Sequence, residues 1–219
     1  TDSYGRDVLA RLVEASRNSL TVSLVGILFG LGLGGLLGVG AGFLGGWLDR
    51  ATSEFVDVFL AFPPDVLGIL VLVALGGGYL NTVLAIGMAF VPRFARLAKA
   101  STLTLREQLY VEAGRALGAG RLRLIGRYVA PGVSGTLVVT ATVWIATAIR
   151  AEAALSFLGL GVQPPRASWG NMIGEGLVNM LDAPWVVLAP TLAITYAVVA
   201  FNMVGDGLRD YIDPRTRNT

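Results

Sequence analysis

The sequence predicts an all-α fold, a polytopic membrane helix bundle, and three observations carry that prediction. Of 219 residues, 54% are hydrophobic and only 15% are charged, with a mean hydropathy of +0.66; soluble domains carry charge on about 25% of residues. The apolar residues fall in runs long enough to cross a bilayer. The 29 glycines lie inside those runs rather than in linkers, as expected where helices pack closely in lipid. Cysteine and histidine are both absent. That excludes a disulfide framework, the usual kinds of zinc site, a cysteine nucleophile and an imidazole base. No catalytic or metal-binding residue is predicted. The net charge of +2 and the pI near 9.2 reflect arginine-rich loops, not a nucleic-acid surface.

Residues 1–17 are polar, with Val8, Leu9, Leu12 and Val13 spaced as on a short amphipathic helix. They are expected to form an external surface segment. The first span runs from about 18 to 46 and contains no charge. In it Gly26, Gly30, Gly34, Gly38, Gly42 and Gly46 recur every fourth residue, forming a smooth stripe for helix packing. Two G-x-G-x-x-G matches lie there (30–35 and 40–45), but no strand or βαβ unit surrounds them, so they are not a dinucleotide fingerprint.

A charged turn at 49–57 leads to a second span at 58–75, which Pro63-Pro64 should kink near its start. A third span occupies 80–94 and ends in Arg93, Arg96 and Lys99. A fourth runs from 132 to 149, with Arg150 and Glu152 at its far end, and a fifth from 185 to 204. Between the last two, residues 153–184 read as an external scoop with Trp169 at the interface. Residues 209–219 form the tail.

Orientation follows from the basic residues. Placing 93–129, 47–54 and the tail inside puts twelve of the seventeen arginines and lysines there, as the positive-inside rule requires. Residue 1 is then external and the C-terminus cytoplasmic. An external start without a signal sequence predicts a sixth helix upstream of Thr1.

The one long polar interruption is Tyr110–Pro131, within a predicted cytoplasmic loop, 95–131. Thr104 to Glu107 reads as a capping box, so a helix is expected to start near Leu105 and stop at Gly118–Gly120. Pro131 suits the first turn of the next span. Glu112 and Arg115, among Ala113, Gly114 and Ala116, give a thin helix with a charged edge, suited to a cleft in a partner protein. An ordinary positive-inside loop would carry the same composition.

Glu112-Ala113-Gly114 followed by Gly118, Ile125 and Pro131 resembles the EAA motif of bacterial ABC-importer permeases, with Gly114 where the pattern has alanine and Ala130 where leucine is commoner. GRDVLARL at 5–12, LAFP at 60–63, AEAALSFLGLGVQPP at 151–165, SWG at 168–170 and FNMVGDGLRDYIDPR at 201–215 resemble the second permease of the dipeptide, oligopeptide and nickel group. The resemblance spans nearly the whole chain. It implies a type I importer permease domain over 18–208 that pairs with a second homologous permease as a heterodimer. Two ATP-binding-cassette ATPases and an external substrate-binding protein complete the assembly in the plasma (inner) membrane, in contact with lipid.

The resemblance assigns ATPase coupling to Glu112, Ala113, Gly114 and Gly118, and helical neighbourhood adds Arg115. No Walker A pattern is present, so ATP and Mg2+ are expected on the partner ATPases, with no cofactor in this chain and no enzymatic activity of its own. Arg150 and Glu152, two residues apart, should face different sides of their helix. They are candidates for the translocation path or gate. The expected cargo is a dipeptide or oligopeptide, with nickel or glutathione as alternatives. An ATP-independent secondary transporter and a non-transporting scaffold are the competing classes; spans one, three and five lack the central ionisable residues that the former would need.

Overall fold

The structure, a computed structural model, describes residues 1–2 and 4–212. Within these, every regular element is helical: α1 Val8–Leu44, α2 Gly46–Leu60, α3 Pro64–Leu75, α4 Tyr79–Arg106, α5 Leu109–Ala116, α6 Arg121–Leu124, α7 Ala130–Phe157, α8 Trp169–Gly176 and α9 Trp185–Ile212. A π turn, Ile125–Val129, joins α6 to α7, and a 3₁₀ turn, Leu177–Asn179, follows α8.

The expected surface helix and first span are one element. Asp7 caps α1, its carboxylate accepting from the Leu9 and Ala10 amides at 2.8 and 3.4 Å. Nothing between Asp7 and Gly45 breaks the helix, which reaches about 55 Å. Gly45 then ends it at φ 66°.

The most extensive packing in the molecule is α1 against α4, and the glycines explain it. A Cβ on Gly30 would sit 3.0 Å from the Gly87 carbonyl oxygen, and one on Gly42 would sit 2.9 Å from the Thr102 Cβ. A Cβ on Gly34 or Gly38 would overlap the carbonyl oxygens of Val91 and Ala95. One on Gly26 would meet Ile86 at 2.9 Å. Backbone therefore lies directly on backbone over four turns. Gly46 departs from the stripe: it starts α2 at φ 68°, with open space where a Cβ would be.

Of three further expectations, one is overturned. The charged turn at 49–57 is helix α2, with Asp49 in the first turn, where a carboxylate faces the positive end of the dipole. The kink expected at Pro63-Pro64 is present: α2 and α3 meet at 95°, because Pro64 can start a helix but cannot carry one through. Beyond the span expected at 80–94 the helix runs on, as α4, to Arg106. Its charges are accommodated by α2. Arg96 pairs with Asp57 at 2.6 Å, and Lys99 pairs with Asp49 and donates to Ser53 at 2.7 Å.

Among the described residues, three helical stretches can cross a membrane by length and composition: Val8–Leu44, Arg121–Phe157 and Trp185–Tyr211, with the bent α2–α3 pair as a fourth. This measure does not include α4, so it does not return the expected five. In the core, Trp144 of α7 packs against Phe94 and Phe90 of α4, with centroids 4.6 and 5.7 Å apart. The C-terminal tail expected over 209–219 lies outside the described residues beyond Ile212.

Candidate functional site

Helix α5 hangs below α4 by a two-residue link. The expected capping box is absent: Thr104 lies inside α4, and its hydroxyl turns back to the Ala100 carbonyl at 3.3 Å, the alternative open to a mid-helix threonine. The helix instead starts at Leu109 after Gln108, whose side chain makes no cap bond. One face is buried, with Val111 at 0% exposure and Gly114 beneath it. Gly114 sits on Leu124 and the Tyr128 ring; a Cβ there would lie 3.1 Å from Leu124 Cδ2 and 3.5 Å from Tyr128 Cζ.

The other face carries Glu112, Ala113 and Arg115, all exposed. Neither Glu112 nor Arg115 forms an ion pair among the described residues. Leu109, Leu117 and Leu122 flank it at 82, 88 and 86% exposure. Exposed large leucines beside charges are features of surfaces that meet protein or membrane.

The end of α5 is a Schellman closure. Gly118 adopts φ 80°; its amide reaches the Arg115 carbonyl, and the Ala119 amide reaches the Gly114 carbonyl, both at 3.0 Å. The chain then re-enters helix at Arg121 and passes through the π turn into α7, with Pro131 in its first turn. The wide turn absorbs the carbonyl that a proline ring would otherwise strike.

Above α5, Arg106 donates to the Gly42 carbonyl at 2.8 Å, tying the end of α4 to the end of α1. Leu105 packs on Gly132 of α7, where a Cβ would lie 2.8 Å from its Cδ1. The base of α5 is thus fixed to two long helices.

At the other end of the molecule, residues 158–184 fold over α1 and α7. Arg150 is exposed and donates to the Thr147 hydroxyl at 3.4 Å. Glu152 faces inward, is 0% exposed and accepts from Ser156 at 2.7 Å. It offers no surface to a passing substrate in this conformation. The scoop is fastened at its outer edge by Arg6 and Arg11, both bonded to Asp2 and to Glu175 at 2.6–2.9 Å. Burial raises the pKa of Asp2, but its bonds from the Arg6 and Tyr4 amides and from both guanidiniums outweigh that and lower it to about 2.

The family model for the binding-protein-dependent transport system inner membrane component matches residues 34–218. The chain belongs to that family. It is 41% identical over 217 residues to the glutathione transport system permease protein GsiD of Pectobacterium atrosepticum, covering 99% of this chain and 72% of that one. The GsiD of Escherichia coli O1:K1 is also 41% identical, over 216 residues, with 99% and 71% covered. Among solved structures, inward-facing conformations of the MetNI methionine ABC transporter superpose with TM-scores of 0.72 and 0.70 at 23 and 21% identity. They cover 94 and 97% of this chain and 98 and 100% of theirs. The fold is that of an ABC-importer permease, and the chain is a transport component of a membrane importer.

Of the residues singled out in this permease, Glu112, Ala113, Gly114, Arg115 and Gly118 come together on one short helix and its cap. Arg150 and Glu152 share α7 but face apart. Sequence reasoning missed Val111, Leu124 and Tyr128, the platform under α5; the i, i+3 spacing of Val111 and Gly114 was the available signal. It also missed the polar set Ser16, Ser19 and Ser23 on α1. Their i, i+3, i+7 spacing marks one helix face.

Proposed function

We propose that the chain is a pore-forming permease subunit of an ATP-driven importer for small peptides, with α5 as the helix that receives the motion of a cytoplasmic ATPase. The observation that carries this reading is α5 itself. A short, rigidly capped helix exposes Glu112, Ala113 and Arg115 and is rooted in α4, in a chain belonging to the importer family. The two ends of its support, Arg106 on Gly42 and Leu105 on Gly132, would pass displacement of α5 into α1 and α7 together.

The full assembly in this reading is a second homologous permease, two ATPases carrying ATP and Mg2+, and an external substrate-binding protein in a bacterial inner membrane. The basic residues concentrated at 93–129 support a cytoplasmic α5 and an external residue 1. Exposed Arg150 is then placed near the outer mouth, where a guanidinium can meet a carboxylate of the cargo or of the paired permease. The relatives named for glutathione transport support a peptide-like cargo, since glutathione is itself a tripeptide.

The test is uptake by the assembled importer in proteoliposomes, with labelled glutathione, dipeptides, a longer peptide and nickel offered separately, with and without ATP. ATP-dependent uptake of a peptide supports the proposal. Uptake of nickel alone, or uptake indifferent to ATP, contradicts it.

A further inference from the structure

We infer that Glu152 is a positioning residue, the buried carboxyl on which the 158–184 scoop is seated against α1 and α7. Its role for transport rests on the importer reading above; its structural role does not. Three observations converge on it. Ser156, one turn further along α7, donates to Glu152 Oε1 at 2.7 Å, and the same hydroxyl accepts from the Val162 amide at 3.1 Å. The first stretch of the scoop is thereby held to the carboxyl through a single hydroxyl. The approach is close enough that a Cβ on Gly161 would overlap the Ser156 Oγ.

The hydroxyls of Ser19 on α1 and Ser168, the N-cap of α8, face the same carboxyl. Glu152 Oε2 is buried without a hydrogen bond of its own, and these two hydroxyls are the donors facing it. Both are already acceptors. Ser19 Oγ receives the Trp169 amide at 3.1 Å, and Ser168 Oγ receives the Asn171 amide at 3.3 Å. Each hydroxyl therefore has its proton left over, and a carboxyl oxygen is the acceptor at hand.

Among the described residues, no arginine or lysine pairs with Glu152. It is surrounded by neutral donors drawn from three separate segments. Removing the carboxyl would take away the acceptor of the Ser156 hydroxyl and the polar group that the Ser19 and Ser168 hydroxyls face, and would free α1, α8 and the 158–162 turn from a common point. The geometry is that of a pin. Around it the scoop is otherwise held by small residues: the Ala153 carbonyl lies where a Cβ on Gly170 would be, and Asn18 donates to the Ala167 carbonyl at 2.7 Å.

The test compares Glu152→Ala with Glu152→Gln in the full assembly, reading amide hydrogen exchange and ATP-driven uptake in parallel. In Glu152→Ala, exchange at Val162, Trp169 and Asn171 should rise by on the order of tenfold or more, and uptake should fall while ATP hydrolysis persists. Glu152→Gln fills the same space and keeps one oxygen acceptor, so exchange and uptake should stay within about twofold of the parent. Unchanged exchange in Glu152→Ala, or equal damage in both variants, overturns the proposal. If Glu152→Ala fails to assemble, Ser19→Ala is read at the Val162 amide, which bonds Ser156 and not Ser19: faster exchange there supports the pin, and no change overturns it. Exchange is read without any transport, so a failed importer reading would leave this outcome intact.

Discussion

Replacing Gly38 by alanine places a methyl group into the α4 backbone. The new Cβ would overlap the Ala95 carbonyl oxygen and come within 2.6 Å of the Ala98 Cβ and 2.9 Å of the Lys99 nitrogen. None of these is the tip of a flexible side chain. The two helices must part by on the order of 1 Å before these contacts become ordinary, and that strips packing from several turns at once. Overpacking of this kind costs about 1–3 kcal/mol. Alanine recovers up to about 1 kcal/mol from its better helix propensity, so a net loss remains. For a chain of this size, that lowers the apparent melting temperature by roughly 2–8 °C.

Gly32 supplies the control on the same helix, since no atom lies within 4 Å of where its Cβ would be. Gly32→Ala should be neutral or slightly stabilising. The assay is thermal unfolding of the purified protein in one detergent, with both variants measured beside the parent. Equal melting of Gly38→Ala and Gly32→Ala would refute the reasoning, because only the first position touches α4.

Other consequences follow from the site. Gly114→Ala asks only that the end of Leu124 give by a few tenths of an ångström, so ATP-driven uptake should fall by less than about twofold. Gly118→Ala forces a Cβ into φ 80°, at about 1–2 kcal/mol, and should speed amide exchange in α5 by roughly tenfold. The Asp2 carboxyl, lowered from 3.8 to about 2, contributes to the cluster that holds it on Arg6 and Arg11 in full above about pH 4. That contribution is lost as pH falls through about 2. A spin-label distance between positions 4 and 13 should therefore hold down to about pH 4 and widen below it.

Much of the fold was legible because its physics is periodic. Long apolar runs specify membrane helices, and glycines at every fourth residue specify the face that meets α4. The boundaries were less legible, because they depend on partners distant in sequence. Arg96 and Lys99 look like the end of a span until Asp57 and Asp49 of α2 are placed beside them. Thr104 looks like a cap because sequence does not show that its hydroxyl finds Ala100 instead. The surface of α5 was readable from Glu112 to Gly118, whereas its platform was not, since Leu124 and Tyr128 reach it only after the chain turns at Gly118. Glu152 was legible as unusual but not as buried; its surroundings come from α1 and α8, more than a hundred residues away and in the scoop.

The central claim is that α5 transmits ATPase motion through its exposed charged edge, and charge reversal at Glu112 tests it most directly. Glu112 is exposed and carries no contact needed for folding, so Glu112→Arg should assemble and melt like the parent. ATP-driven uptake by the reconstituted importer should nevertheless fall by on the order of tenfold or more, the loss expected when one partner of a close interfacial charge pair is reversed. Uptake equal to that of the parent, in a variant with normal assembly and normal ATPase content, would contradict the account.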